Sequence, residues 1–196
     1  VFIGIVFYYF QIDLPSEKRK KEEKDRSEKV ILFDPENVKT ISFIKGEISI
    51  KLKRLGIDEW QMTAPVNANG DAPAVSDFLS FLKNLNFTRV VEESPKDLTP
   101  FGLNTPSLKI ILSMNNGETK GVRVGDDHPM GNKVYLARLN EDRVLTAGIT
   151  KNRLDRKVHD LRDKTILDFK TPQITKIELI RNGKTLSLKK NEESWE

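Results

Sequence analysis

Asp126, Asp127 and His128, consecutive in GDDHPMGN, carry side chains suited to chemistry, because carboxylate oxygens and an imidazole can hold a divalent cation. Three adjacent side chains do not converge on one ion without distant ligands. Turns also recruit Gly, Asp, Asn and Pro for backbone reasons alone, so the stretch reads as a turn between strands rather than a metal site. His159 stands in a charged segment and reads as a solvated surface residue. In DLRD, Asp160, Arg162 and Asp163 read as an ion pair and helix-end arrangement rather than an acid/base pair. GxSxG, a phosphate-cradling glycine loop with a following Lys, and HExxH are all missing from the sequence. The absence of cysteine removes disulfides, thiolate nucleophiles and cysteine metal sites together. No catalytic, cofactor-binding or metal residue is therefore assigned, and no cofactor.

Charge does not rescue a nucleic-acid function. The chain has 33 Lys or Arg against 29 Asp or Glu, a formal net charge of +4. Seven of the basic and six of the acidic residues lie between positions 11 and 29. The remainder is near balance and shows no basic stripe interleaved with aromatic residues, which nucleic-acid binding would require. The sequence predicts a solvated surface and no nucleic-acid partner.

The elements that position these residues follow from hydrophobic spacing. Ile41 and Phe43, a turn at Lys45-Gly46-Glu47, then Ile48, Ile50 and Leu52 alternate as a β-hairpin with one buried face. WQMTAP reads as a third strand with Trp60 packed and Pro65 ending the ladder. Next comes a helix, with Asp71 as N-cap, Pro73 in the first turn, and Val75, Phe78, Leu79, Leu82 and Leu85 at helical spacing. TRVVEE is a short strand, and SPKDLTPFGLNTP is a compact loop pinned by Leu98, Phe101 and Leu103. A meander follows through SLKIILS, KGVRVG, KVYLARL and RVLTAG, with a hairpin turn at Asn116-Gly117. Thr150 is expected to cap a last helix, KNRLDRKVHDL, with Leu154, Val158 and Leu161 inward. The fold class is α+β: antiparallel hairpins and a meander with two interspersed helices.

Residues 1–10, VFIGIVFYYF, carry no charge. As a helix they rise about 15 Å, half of the roughly 30 Å hydrocarbon core of a bilayer. A core strand and the end of a secretory signal compete with a third reading, the last half of a membrane helix. The following polar stretch would detach a core strand, and Tyr8, Tyr9 and Phe10 suit a membrane interface better than a cleavage site. The sequence predicts a partial membrane anchor at 1–10 and a charged linker at 11–29. The Lys and Arg beyond the anchor argue for a cytoplasmic side, in conflict with the extracytoplasmic placement reached below.

Residues 41–60, ISFIKGEISIKLKRLGIDEW, have a counterpart in residues 177–196, IELIRNGKTLSLKKNEESWE. At an offset of 136, Ile41 meets Ile177, Phe43 meets Leu179, Ile50 meets Leu186 and Leu52 meets Leu188. Upstream, Phe33 meets Phe169, and downstream one dropped residue brings Trp60 over Trp195. A domain-sized repeat is expected, with residues 30–165 one α+β unit and 166–196 the first hairpin of a second, truncated unit. The chain then reads as cut at both ends.

The order of W60-Q-M-T-A-P65, the amphipathic helix, F101-G-L-N-T-P106, a strand ending at Gly125, a strand bearing Tyr135, L161-R-D-K-T-I-L-D-F169 and a second hairpin ending in Trp195 resembles an uncharacterised bacterial domain-of-unknown-function family. Genes of that family lie beside those of gliding-motility-type ABC transporters and their auxiliary subunits. The resemblance implies a membrane anchor, an extracytoplasmic α+β region built from repeats, and no established catalytic residues. The expectation is a membrane-anchored, non-enzymatic accessory module that contacts protein partners such as transporter subunits, in an ABC-type transport or cell-envelope system. Two alternatives stand beside it: an envelope polymer- or lipid-binding domain, and a hydrolase whose site is assembled from distant residues.

Overall fold

The computed structural model describes residues 27–167, 171–191 and 194–196, which fall into two compact units divided after Asp163. The expected anchor at 1–10 and most of the linker lie outside the described residues. In the first unit, β1 (Val38–Lys45) and β2 (Ile48–Gly56) form the expected hairpin, with Phe43 opposite Ile50 and Ile41 opposite Leu52. Gly46 makes the tight turn possible by taking a φ of +56°. The alternation buries Ile41, Phe43, Ile50 and Leu52 but leaves Ile48, at the hairpin tip, 63% exposed. β3 (Glu59–Ala64) follows and buries Trp60 and Met62, and the two-residue β4 (Ala68–Asn69) closes this edge.

The meander is built as expected from β6 (Leu108–Met114), β7 (Thr119–Asp127), β8 (Val134–Arg138) and β9 (Val144–Ala147), with β5 (Arg89–Glu92) beyond it. Among the described residues the first unit forms one nine-stranded antiparallel sheet, ordered β4-β3-β2-β1-β6-β7-β8-β9-β5. Its centre is the β1–β6 seam, where Phe43 pairs with Ile110 and Ile41 with Leu112. At the β6–β7 turn Gly117 alone takes positive φ, at +86°, while the Asn116 side chain accepts a hydrogen bond from the Glu118 N–H at 3.0 Å.

Helix α1 (Ala72–Asn84) links the two edges of the sheet. Asp71 caps it by accepting the Ala74 N–H at 3.1 Å, which satisfies one of the orphan donors of the first turn. Val75, Phe78, Leu79 and Leu82 are buried on one face, and the Phe78 ring meets Phe43 of β1 with centroids 5.0 Å apart. Each such side chain, fully buried, contributes roughly 1.5–3 kcal/mol relative to exposure. A strap at residues 29–38 lies against the sheet, and cationic side chains satisfy several of its carbonyls. Arg138 donates to Val30 O at 2.8 Å and Lys29 O at 3.1 Å, Lys120 to Leu32 O at 2.8 Å, and Arg54 to Val38 O at 2.9 Å and Pro35 O at 2.7 Å. The last residues of the charged stretch are thus part of the fold: Glu28 O accepts from Phe87 N, and Lys29 bridges to Asn86.

The expected helix over KNRLDRKVHDL is broken. A 3-10 turn at Lys151–Arg153 is followed by extended backbone at Lys157, and a single helical turn, α2, occupies Val158–Leu161. Thr150 makes no side-chain capping bond. Asp160 instead restarts the helix by accepting the Lys157 N–H at 2.9 Å, while Lys45 pins the break by pairing with Asp155 and reaching Arg156 O at 3.4 Å. Leu154 and Leu161 are buried regardless, and Val158 packs at the edge of the core.

The second unit holds a 3-10 turn at Thr171–Gln173, then β10 (Lys176–Arg181), β11 (Lys184–Asn191) and β12 (Ser194–Trp195) in one antiparallel sheet. Its hairpin pairs Ile177 with Leu188 and Leu179 with Leu186. All six pairs of the β10–β11 register coincide with the six pairs of β1–β2 when 136 is subtracted. The preceding 3-10 turn at Pro35–Asn37 falls at the same offset, and Lys190 faces Trp195 as Arg54 faces Trp60. The turns differ in chemistry: Asn182 and Gly183 both take positive φ, at +50° and +74°, a combination that fits a type I′ turn.

Candidate functional site

The candidates singled out by chemistry in the sequence are not brought together. Asp126 sits with its carboxylate against Gly102, whereas Asp127 accepts the Lys151 N–H at 3.1 Å. His128 is half-buried, its Nδ1 accepting the Met130 N–H at 3.1 Å and its ring tilted against Tyr135 with centroids 5.2 Å apart. Its main chain closes the β7–β8 loop through Lys133 O and Gly131 N. Asp127 and His128 thus hold this loop to its neighbours. Among the described residues, no group of three or more His, Cys, Asp or Glu is placed to hold a metal ion. In DLRD, Asp160 caps α2 as described. The backbone of Leu161 and Asp163 bonds to Asp71 N and Asn69 O at 2.9 Å each, extending the β4 edge, where Arg162 bridges Gly70. His159 is exposed on α2.

A cleft of about 700 Å³ opens elsewhere, between the 3-10 turn at Pro35–Asn37, the β2–β3 turn and the first half of α1. Pro35, Ile57, Trp60, Ala72 and Leu79 supply its apolar walls, and Glu36, Arg54, Asp58 and Ser76 its polar groups. Its size falls within the range of small-ligand and peptide-anchor pockets. Alternation along β2 and β3 produces this arrangement. Trp60, which turns inward, lines the cleft, and Ile57 in the intervening turn is left 87% exposed. Leu55 beside it is 51% exposed.

Arg54 organises the cleft. Its guanidinium lies 4.5 Å from the centre of the Trp60 ring, a cation–π contact, and donates to Val38 O, Ile57 O and Pro35 O at 2.9, 3.0 and 2.7 Å. Burial lowers its pKa, opposed by the nearby carboxylates of Asp58 and Glu36. With three of its five N–H donors on carbonyls and two carboxylates at hand, Arg54 is a poor anion receptor. It fixes the β2–β3 turn and the strap instead. What the cleft offers is apolar surface bordered by negative charge.

Sequence reasoning placed Trp60 and Leu79 in the core and did not single out Arg54 or Ile57. The one available signal was a basic residue two places before a glycine turn and six before a tryptophan, which cross-strand pairing sets side by side. Arg54 and Trp60 are direct partners in the β2–β3 register.

The family model for DUF4340, a domain of unknown function, matches residues 60–196. No curated protein and no solved structure matches the chain.

Proposed function

Given that the chain belongs to the DUF4340 family, a domain of unknown function, we propose that it is a membrane-anchored, non-enzymatic accessory module that docks a protein partner through the Arg54–Trp60 cleft. The observation that carries this reading is the cleft itself: an apolar hollow with Ile57 projecting from its rim and two carboxylates beside it. Such a surface suits an apolar side chain flanked by a basic residue on a partner protein, since apolar burial supplies affinity and the carboxylates select charge. The setting in an ABC-type transport or cell-envelope system is what the family resemblance implies, with the anchor at 1–10 and the extracytoplasmic placement belonging to the same proposal. Among the described residues no helix is long and apolar enough to cross a membrane.

The test is photocrosslinking from position 57 in membranes, followed by identification of the captured species. Capture of a transporter or envelope protein, lost when Asp58→Lys is added to the crosslinking chain, is the expected result. Capture of lipid or glycan alone would replace this reading with the polymer- or lipid-binding alternative.

A further inference from the structure

The second-unit hairpin repeats the register of β1–β2 but not its burial. In β1–β3 one face carries Ile41, Phe43, Ile50, Leu52 and Trp60, all between 0 and 4% exposed. The residues 136 positions on, with one dropped before the tryptophan, are Ile177, Leu179, Leu186, Leu188 and Trp195. Of these, Ile177 is 45% exposed, Leu179 60%, Leu186 58% and Trp195 38%, and Leu188 is half-buried. The side chains share a face because Ile177 is opposite Leu188 and Leu179 opposite Leu186, while Trp195 follows across from Lys190. A row of apolar side chains this open is not a stable end point for a small sheet with nothing packed on that face.

What covers this face in the first unit is visible. Phe78 of α1 packs on Phe43 at 5.0 Å, and Leu79 shares the cleft wall with Trp60. At the tip of the same face Lys45 pairs with Asp155, and the register puts Arg181 at the position of Lys45, with Lys184 opposite it.

From this coincidence we infer that the β10–β12 face is the docking surface for an amphipathic helix of a partner protein. The helix would present apolar side chains at the spacing of Val75, Phe78, Leu79 and Leu82. A carboxylate from a segment outside that helix, in the place that Asp155 takes beside Lys45, meets Arg181 and Lys184. The match in register makes the occupant a helix rather than a further strand: β11 already carries partners on both sides, and the exposed row faces out of the sheet. This inference does not depend on the cleft reading above.

The test extends the full chain. Residues 62–87, which carry α1, are fused after Glu196, the position equivalent to Gln61. Hydrogen exchange at the two tryptophan indoles and the methyl resonances of Leu179 and Leu186 are followed by NMR. Docking slows exchange at Trp195 by about tenfold or more, shifts both leucine methyls and leaves Trp60 unchanged. Phe78→Asp with Leu79→Asp, in the appended copy only, abolishes these effects. A fused chain whose Trp195 exchanges as in the parent overturns the inference. So does concentration-dependent protection of Trp195 in the parent with dimeric sedimentation, which would make a second copy the occupant.

Discussion

Gly125 leaves no room for a side chain: a Cβ there would collide with the carbonyl oxygen of Phe101 and press on Leu103. That contact holds the loop after β5 against the end of β7, and the obstacle is backbone, which cannot turn aside. Gly125→Ala is expected to cost about 1–3 kcal/mol, measured as a lowered urea midpoint with unchanged slope. In the same loop Asp97 accepts the Thr99 N–H at 2.8 Å, and its bonds to Thr99 hold its carboxyl below the ordinary carboxylate range. A depressed folded-state pKa means that this stabilisation is complete above the ordinary value and is lost as pH falls through the lower one. The Thr99 amide should accordingly move upfield and exchange faster only under strongly acidic conditions, and in Asp97→Asn that acid-dependent step should vanish from the NMR titration.

Two equivalent residues with opposite environments provide a comparison between elements. Ile50 in β2 is 4% exposed, and its counterpart Leu186 in β11 is 58% exposed. Ile50→Ala should cost about 2–5 kcal/mol, and Leu186→Ala less than about 0.5 kcal/mol, by denaturant unfolding of the full chain. The α+β class, both hairpins, the meander and α1 were legible because each rests on local signals: period-two alternation, a glycine or Asn-Gly turn, an Asp cap before a helical spacing. The helix over 151–161 was not. The spacing of Leu154, Val158 and Leu161 indeed marks inward residues, yet Lys45, more than a hundred positions upstream, holds the backbone at Asp155 and Arg156 out of helix. The cleft was illegible for the same reason. Its walls come from positions 35, 57, 60, 72 and 79, and no pattern in the chain states that these meet. Asp126, Asp127 and His128 were read as a turn between strands, and the structure places them at the end of β7 and the start of the loop to β8, where Asp127 accepts the Lys151 N–H and His128 the Met130 N–H.

At the scale of the molecule, the two units differ in how much they bury. Every residue of β10 is exposed, whereas the first unit has a continuous core from Val30 to Leu161. Limited proteolysis should consequently cut first beyond Asp163 and leave a resistant product ending near that point. Equal rates of cutting in the β6–β9 meander would refute this. Within the first unit, most strands meet a neighbour in sequence, but the β1–β6 seam joins segments separated by roughly sixty residues, a closure that costs about 3.6 kcal/mol of chain entropy beyond a constant. Two locally assembled halves are therefore expected to meet before the sheet is complete, with that encounter as the slow step of folding. Ile110→Ala, in the seam, should lose its stability chiefly as slower folding, and Leu136→Ala, in β8, chiefly as faster unfolding, in stopped-flow chevrons of the two variants. A seam variant that unfolds faster while folding at the parent rate would place the kinetic bottleneck elsewhere.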